Sequence, residues 1–291
     1  MKVPRDATPG APLDLVLQAP AIVREDLAAL AAITGCESTL PIEGTAAEAY
    51  RLSDIESTAG VAEACDASGY DGAFVPQARA RSRVRLVAMD MDSTLITIEC
   101  IDEIADLQGI KPQVAAITAS AMRGEIDFRA SLERRVALLA GLPVSALEQV
   151  YAERLALSPG AETMLAGFRA VGATTLLVSG GFTFFTDRLQ QRLGLDRVLA
   201  NVLEVADGRL TGRIVGDIVD AVAKARAFRA LADDLRNRDG LAVAIGDGAN
   251  DLPMLDEADV SVAYRAKPAV RARAMHAIDH CGLDAALNLF G

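Results

Sequence analysis

Three apolar runs of strand length, each followed at once by polar residues, constrain the fold of this chain most strongly. The runs are Val84–Met89, which leads into Asp90, Thr174–Val178, which leads into Ser179, and Leu241–Ile245, which leads into Gly246; a fourth run fits Val260–Ala263. Helical patterns, such as Lys224–Arg238, separate them. Buried strands that alternate with helices are typical of a parallel sheet covered on both faces. The sequence therefore predicts an α/β fold with a Rossmann-like, doubly wound parallel sheet.

Two segments interrupt this alternation. Residues Ile101–Leu157 are almost entirely helical in pattern and are too long for a simple crossover, which predicts a helical cap insertion over about 101–157. Residues Asn201–Gly216 alternate around Asp207-Gly208, a pair that favours a β-hairpin.

The first 80 residues predict a separate, smaller α+β unit. Apolar alternation and helical spacing give the order βαββαβ, with strands at Leu13–Leu17, near Glu37–Leu40, near Ala46–Leu52 and at Gly72–Val75, and helices at Arg24–Ile33 and Thr58–Ala67. Gln77–Arg83 is polar and basic and is interpreted as a linker. We therefore predict two domains, at residues 1–80 and 84–291.

Charge and cysteine usage exclude several classes of protein. With 40 acidic and 29 basic residues, the net charge of −11 argues against a general nucleic-acid binder, which needs a basic face. The N-terminal stretch has no apolar signal region and no apolar run has membrane-spanning length, which predicts a cytoplasmic protein that binds no membrane. The four cysteines form no zinc-binding spacing, and Cys100 is interpreted as a small buried apolar residue.

The two histidines, His276 and His280, are four residues apart on a predicted helix. Such spacing would suit a metal pair, but the sequence offers no third ligand beside them. We interpret them as part of a solvated helix face.

The polar residues after the three main strands predict a metal site. Ligands of open parallel sheets bind at the carboxyl ends of the strands. Asp90-Met91-Asp92-Ser93-Thr94, Ser179-Gly180-Gly181 and Gly246-Asp247-Gly248-Ala249-Asn250-Asp251 would meet at that edge. Several carboxylates gathered there would repel one another unless a cation lay between them. Oxygen ligands without histidine or cysteine favour Mg²⁺.

These motifs, in this order, resemble those of the phosphoserine phosphatase family in the haloacid dehalogenase superfamily. The resemblance covers about Val84–Gly291 and includes Glu99, seven residues after Asp92, and cap segments at Met122–Phe128 and Ser131–Val136. Each motif alone is compatible with an ordinary turn or a solvated helix. Their joint occurrence in order favours an active site.

The resemblance implies a role for each matching residue. Asp90 would be the nucleophile, Asp92 the general acid and base, and Lys224 the cation that stabilises the transferring phosphoryl group. The metal would be held by the carboxylates of Asp90 and Asp247 and the backbone carbonyl of Asp92, with Asp251 supporting its surroundings. Phosphate oxygens would be bound by Ser179, Gly180 and Asn250.

The cap would select the substrate. By the same resemblance, Glu99 would pair with the ammonium of phosphoserine and Arg135 with its carboxylate, while Met122 and Phe128 would exclude water on closure. The expected reaction is the Mg²⁺-dependent hydrolysis of phosphoserine to L-serine and phosphate, the last step of serine biosynthesis; another small phosphomonoester remains the alternative. The chain lacks the GxxxxGK[ST] motif of P-loop kinases and the membrane spans of a phosphotransfer pump.

The N-terminal unit resembles ACT-type regulatory domains in the order of its elements alone. Such domains bind amino acids or mediate dimerisation. Because the sequence has no evident glycine-bearing ligand loop, we predict a packing or homodimerising role in preference to serine sensing.

Overall fold

The chain contains two β-sheets, one small and antiparallel, the other large and mostly parallel. They are observed in a computed structural model that describes residues 1–2, 4, 11–236 and 240–291. Position 238, at the end of one predicted helix, and positions 3 and 5–10 of the predicted N-terminal unit lie outside the described residues. In the parts of the chain that the structure describes, no helix combines the length and apolar character needed to cross a bilayer.

The small sheet is formed by four strands in the spatial order β2-β3-β1-β4, all antiparallel to their neighbours. The strands are β1 (Leu13–Ala19), β2 (Ser38–Ile42), β3 (Glu48–Ser53) and β4 (Asp71–Pro76), and the helices are α1 (Arg24–Thr34) and α2 (Val61–Ser68). The observed order is the predicted βαββαβ. Gly35, at φ +64°, ends α1 in the left-handed conformation that glycine adopts without a steric penalty.

The large sheet has seven strands in the order β11-β10-β9-β5-β6-β7-β8, and β8 alone of these runs antiparallel to its neighbour. The strands are β5 (Val84–Met89), β6 (Thr174–Phe182), β7 (Arg197–Ala206), β8 (Arg209–Val215), β9 (Leu241–Gly246), β10 (Val260–Tyr264) and β11 (His276–Ile278). Alternate residues of β5 enter two different apolar clusters, Leu86 and Ala88 on one face, Val87 and Met89 on the other. The sheet is therefore covered on both faces, and the doubly wound prediction is confirmed.

The helices of this part lie on both faces of the sheet and in the insertion after β5. Their bounds are α3 (Cys100–Leu107), α4 (Lys111–Met122), α5 (Phe128–Ala137), α6 (Ser145–Glu153), α7 (Ala161–Arg169), α8 (Thr183–Leu193), α9 (Ala221–Arg236), α10 (Leu252–Glu257) and α11 (Pro268–Arg271). Helices α3–α6 form the cap. A short antiparallel bridge between Ile96 and Leu157 joins the two ends of the cap insertion. The neck of the insertion therefore lies directly after the Asp90–Thr94 turn.

The C-terminal segment fills the space between the two sheets. Residues Leu283–Leu289 are all buried and contact α7 on one side and β1 on the other. The Asp71 carboxylate of β4 accepts hydrogen bonds from the backbone N–H groups of Asp279, His280 and Cys281 at 2.8–3.2 Å. The inner face of the small sheet is thus occupied by this chain's own C-terminal segment.

The predicted helix is wrong for both histidines, and the predicted exposure is wrong for His276. His276 lies in strand β11 and is buried, whereas His280 lies in a bend after this strand and is exposed. The His276 ring nitrogen Nε2 lies 2.7 Å from Nη1 of Arg79, a residue of the segment that joins the two sheets. Burial and the adjacent guanidinium lower the pKa of His276 well below its usual value.

This buried histidine predicts a pH dependence of stability. Because the folded pKa is lowered, the unfolded chain binds the proton first as the pH falls below about 6.5, so protonation favours unfolding. We expect His276→Gln to make the free energy of unfolding less dependent on pH between about 6.5 and 5, by up to about 1.4 kcal/mol per pH unit. Urea unfolding at several pH values measures it. His280→Gln is the matched control, and an equal change in both variants would contradict the prediction.

Candidate active site

Strand β5 ends in a tight turn that presents Asp90 at the carboxyl edge of the sheet. The Asp90 N–H donates to the Ile245 carbonyl of the adjacent strand β9, at 3.1 Å, so the backbone position of Asp90 is set by the sheet. Its Oδ1 accepts from the Met91 N–H at 2.8 Å. Ser93 has φ +56°, a conformation that is uncommon for a residue with a side chain and often occurs at functional sites.

Lys224 of α9 lies beneath this turn and is fully buried. Its Nζ donates to Oδ1 of Asp90 at 2.7 Å and to Oδ1 of Asp251 at 2.8 Å. Burial alone would lower the pKa of Lys224, but the charges of the two carboxylates outweigh this effect. The pKa is therefore raised and the ammonium stays charged. Burial and the charge of Asp251 raise the pKa of Asp90 in spite of Lys224. The single positive charge of Lys224 therefore does not offset the negative charge of these carboxylates.

The loop after β9 brings two further acids to the same edge. Oδ2 of Asp251 accepts from the backbone N–H groups of Asp247 and Gly248, at 3.1 and 2.9 Å, which folds the loop around this carboxylate. A Cβ at Gly246 would lie 2.6 Å from the Asp251 side chain, so the close approach requires glycine. Burial, with Asp251 the next cause, raises the pKa of Asp247 to about 6.

The carboxylates of Asp90, Asp247 and Asp251 offer oxygens that all lie within 4.8 Å of one another. Thr94 fixes Asp247 further, because its Oγ1 donates to Oδ1 of Asp247 at 3.2 Å. Such a set of carboxylate oxygens fits a hard divalent cation such as Mg²⁺. The Asp251 carboxylate already accepts hydrogen bonds from Lys224 and from two backbone N–H groups. Asp251 therefore lies behind Asp90 and Asp247 with respect to such a cation.

Asp92 lies in a setting suited to proton transfer. Its Oδ1 accepts from the N–H of Cys100, the first residue of α3, at 2.9 Å. Desolvation, with the Glu99 carboxylate as the next cause, raises the pKa of Asp92 to about 7. A carboxyl group with such a pKa can both donate and accept a proton near neutral pH.

The end of β6 contributes the third motif. Ser179 is buried, and its Oγ accepts from the Gly181 N–H at 2.8 Å and lies 3.4 Å from Oδ2 of Asp92. A Cβ at Gly181 would lie 2.7 Å from that same Oδ2, so the glycine lets the two strand ends approach. The Phe128 ring of the cap covers Gly180, where a Cβ would lie 3.1 Å from it.

A cavity of about 480 Å³ separates this edge from the cap. Most of the predicted site residues line it: Asp90, Asp92, Glu99, Met122, Phe128, Arg135, Ser179, Gly180, Asp247 and Asn250. The other two, Lys224 and Asp251, are buried behind it. The structure therefore brings together the residues of all the predicted motifs, although Met122 is 74% exposed at the rim, and its role in excluding water stays a prediction.

Two further residues of this region were not predicted from the sequence. Lys267, exposed at the start of α11, lines the cavity, and its backbone N–H donates to the Asp247 carbonyl at 3.2 Å. Asn201 of β7 donates from Nδ2 to the Gly180 carbonyl at 2.8 Å. Neither belongs to a recognisable motif, and only the tertiary structure places them at the site.

Comparison with known proteins agrees with this geometry. Residues 87–256 match the family of haloacid dehalogenase-like hydrolases. A phosphoserine phosphatase from Polaromonas sp. is 54% identical over 213 residues, which cover 72% of this chain and 90% of that protein.

Solved structures extend the similarity. The crystal structure of a probable phosphoserine phosphatase from Vibrio cholerae matches 99% of this chain and 88% of its own, with a TM-score of 0.80 and 35% identity. A substrate-bound phosphoserine phosphatase complex matches 72% of this chain and 99% of its own, with a TM-score of 0.65 and 35% identity. The first match includes the small N-terminal sheet as well as the large one.

Proposed function

Because the chain belongs to the phosphoserine phosphatase family of haloacid dehalogenase-like hydrolases, we propose that it hydrolyses O-phospho-L-serine to L-serine and phosphate in the last step of serine biosynthesis. The observation that carries the proposal is the position of Asp90. Its carboxylate lies against buried Lys224, within 4.8 Å of an Asp247 oxygen, and borders the cavity under the cap.

In the first step, an oxygen of Asp90 attacks phosphorus and the bond from phosphorus to the serine oxygen breaks. The Asp90 carboxylate accepts hydrogen bonds from Met91 N–H and Lys224 Nζ, both at Oδ1, which leaves Oδ2 as the attacking atom. The raised pKa of Asp92 supports its role as the acid that protonates the departing serine oxygen. The product is an aspartyl-phosphate on Asp90 and free L-serine.

In the second step, water hydrolyses the aspartyl-phosphate. Asp92, now deprotonated, accepts a proton from the water as the water oxygen attacks phosphorus, and the bond between phosphorus and the Asp90 oxygen breaks. Phosphate is released, Asp90 returns to a carboxylate and Asp92 to its protonated form. Ser179, the Gly180 N–H and Asn250 bind phosphate oxygens in both steps. Lys224 stabilises the charge that spreads over the transferring group.

The acidic cluster fits Mg²⁺, which we propose is held by the carboxylates of Asp90 and Asp247 and the backbone carbonyl of Asp92. When bound, the ion would offset the negative charge of the phosphate and of the attacking carboxylate. Asp251 would keep the Asp247 backbone in place through the hydrogen bond it accepts.

Two cap-side charges support phosphoserine as the substrate. Glu99 accepts a hydrogen bond from Ser93 Oγ at 2.8 Å, which holds its carboxylate at the cavity for an ammonium group. Arg135 lines the cavity from α5 with a guanidinium whose planar fork fits a carboxylate. An ordinary phosphate ester carries neither an ammonium nor a carboxylate group.

The direct test is phosphate release from a panel of phosphomonoesters, with and without a chelator. We expect phosphoserine to be the best substrate, with activity lost in the chelator and restored by added Mg²⁺. Preference for another small ester, such as phosphohomoserine, would replace the substrate assignment. Full activity in the chelator would contradict the metal assignment.

Glu99 gives a sharper prediction about selectivity. Glu99→Gln is expected to lower kcat/KM for phosphoserine by roughly 10- to 100-fold, since the negative charge that pairs with the substrate ammonium is lost. The loss should be smaller for 3-phosphooxypropanoate, the same ester without the amino group, because only the effect of Glu99 on the pKa of Asp92 remains there. Glu103→Gln is the matched control, because Glu103 lies four residues further along, in α3, with its carboxylate 3.6 Å from Arg154. Equal losses for both esters would exclude Glu99 as the ammonium partner.

For residues 1–80 we propose a packing role with residues 84–291 as the catalytic domain, and homodimerisation through the N-terminal unit as its second role. Arg51 supports packing, because its guanidinium donates to the carbonyls of Asn288 and Phe290. A cytoplasmic location is also proposed, which the four free cysteines support.

A further inference from the structure

One buried side chain links two parts of the active site without lining the cavity. Asn201 of β7 is 1% exposed. Its Nδ2 donates to the Gly180 carbonyl, and its Oδ1 accepts from the Val219 N–H, both at 2.8 Å. The Asn201 side-chain amide therefore donates to the C-terminal end of β6 and accepts from the segment that precedes α9.

Asn201 lies where the pairing of β6 with β7 is interrupted. The register changes between Val178, which pairs with Leu199, and Phe182, which pairs with Asn201. Residues 179–181 bulge out of the ladder at this point, and a bulge leaves backbone groups unpaired and redirects side chains. The Asn201 amide replaces one of the lost backbone partners.

The hydrogen bond to Gly180 fixes the peptide unit that orients Ser179. The Gly180 carbonyl and the Gly181 N–H belong to one planar peptide, so they point in opposite directions. Asn201 holds the carbonyl end, and the N–H end donates to Ser179 Oγ at 2.8 Å. Because Oγ accepts this bond, its proton remains available to donate toward the cavity, where Asp92 Oδ2 lies 3.4 Å away.

The second hydrogen bond joins Asn201 to the segment before α9. Val219 is buried two residues before the start of α9, which carries Lys224. Asn201 therefore ties the phosphate-binding end of β6 to the approach of the helix that supplies the buried ammonium.

We infer that Asn201 is a positioning residue of the phosphatase reaction, which aligns the Ser179 hydroxyl with the phosphate through the Gly180–Gly181 peptide. The inference rests on the proposed function. It assigns to Asn201 no contact with the substrate.

Asn201→Asp tests this with little change of shape. The carboxylate keeps an acceptor for Val219 N–H but loses the donor and places an oxygen against the Gly180 carbonyl. Displacement of a catalytic group by about 1 Å can cost roughly 100-fold, so we expect kcat to fall by roughly 10- to 100-fold and the inhibition constant of inorganic phosphate to rise. Asn288→Asp is the matched control, because Asn288 is 2% exposed and donates to Gln18 and Thr45, whereas it contacts no site residue.

The control separates alignment from stability. Both variants should lose thermal stability, while Asn288→Asp should keep kcat within about twofold of the wild type, as expected for a distant site. Equal losses of kcat in the two variants would overturn the inference. Should Asn201→Asp fail to fold, Asn201→Ser, which also removes the bond to Gly180, is measured in its place.

A double-mutant cycle identifies the group through which Asn201 acts. In a Ser179→Ala background, Asn201→Asp is expected to lower kcat/KM by less than about threefold, because coupled residues give non-additive losses. Additive losses would show that Asn201 does not work through Ser179. If the wild-type chain releases no phosphate from phosphoserine, the proposed function fails; an active wild type with additive losses rejects the inference alone.

Discussion

Asp90→Asn is expected to lower kcat for phosphoserine by roughly 10⁴-fold or more, the scale of loss when a covalent nucleophile is removed. The amide keeps the size of the side chain and an oxygen acceptor for Met91 N–H. It cannot form an acyl phosphate as a carboxylate does, so the covalent pathway closes. Steady-state phosphate release measures the loss, and mass spectrometry of the quenched wild-type enzyme should detect the phosphorylated Asp90.

The matched control is Asp187→Asn, since Asp187 is exposed on α8. We expect it to retain the wild-type kcat. Turnover by Asp90→Asn within about tenfold of the wild type would assign the nucleophile to another group, because such a loss is smaller than nucleophile removal produces.

Lys224→Met is expected to be the most destabilising of the proposed changes. It leaves the carboxylates of Asp90 and Asp251 buried without their cation, and breaking a buried ion pair in this way costs roughly 3–5 kcal/mol. Activity should also fall by roughly 100- to 1,000-fold, because a preorganised charge at the phosphoryl group is lost. Urea unfolding at pH 8, in the absence of Mg²⁺, measures the first effect.

The pH dependence of this variant has a defined sign. Burial already raises the pKa of Asp90 in the folded protein. At pH 5 the folded variant therefore binds a proton at Asp90 more fully than the unfolded chain does, and part of the lost stability should return. Lys111→Met is the matched control, because the Lys111 side chain is 49% exposed and its pair with Asp106 is expected to contribute about 1 kcal/mol or less. Equal destabilisation by both variants would contradict the argument.

The residues at the strand ends could be predicted from the sequence because local pattern and chemistry coincide there. An apolar run followed by Asp90 or Asp247 marks both the end of a buried strand and a ligand edge. Asp207 and Gly208, at φ +49° and +73°, form the predicted hairpin turn, since turn chemistry is also local.

The residues that the sequence analysis missed depend on partners far away in the chain. Asn201 matters because β6 bulges opposite it, and nothing near Asn201 indicates that bulge. Strand β11 has three residues and forms by pairing with the distant strand β10. The spacing of the two histidines therefore predicted a helix where the structure has a strand. Asp14 and Gln18 of β1 are buried although they are polar, because Arg51 and Asn288 reach them from other segments.

The closed neck of the insertion has a consequence for inhibition. Ser158 N–H donates to the Leu95 carbonyl and Thr97 N–H to the Ala156 carbonyl, so both ends of the cap are fastened to the turn that begins at Asp90. Because Glu99 lies between this neck and α3, a tilt of the cap helices would change its position relative to the aspartates at the sheet edge. A compound bound under the cap would occupy the cavity that Asp90 and Ser179 line, so we expect it to inhibit in competition with the substrate.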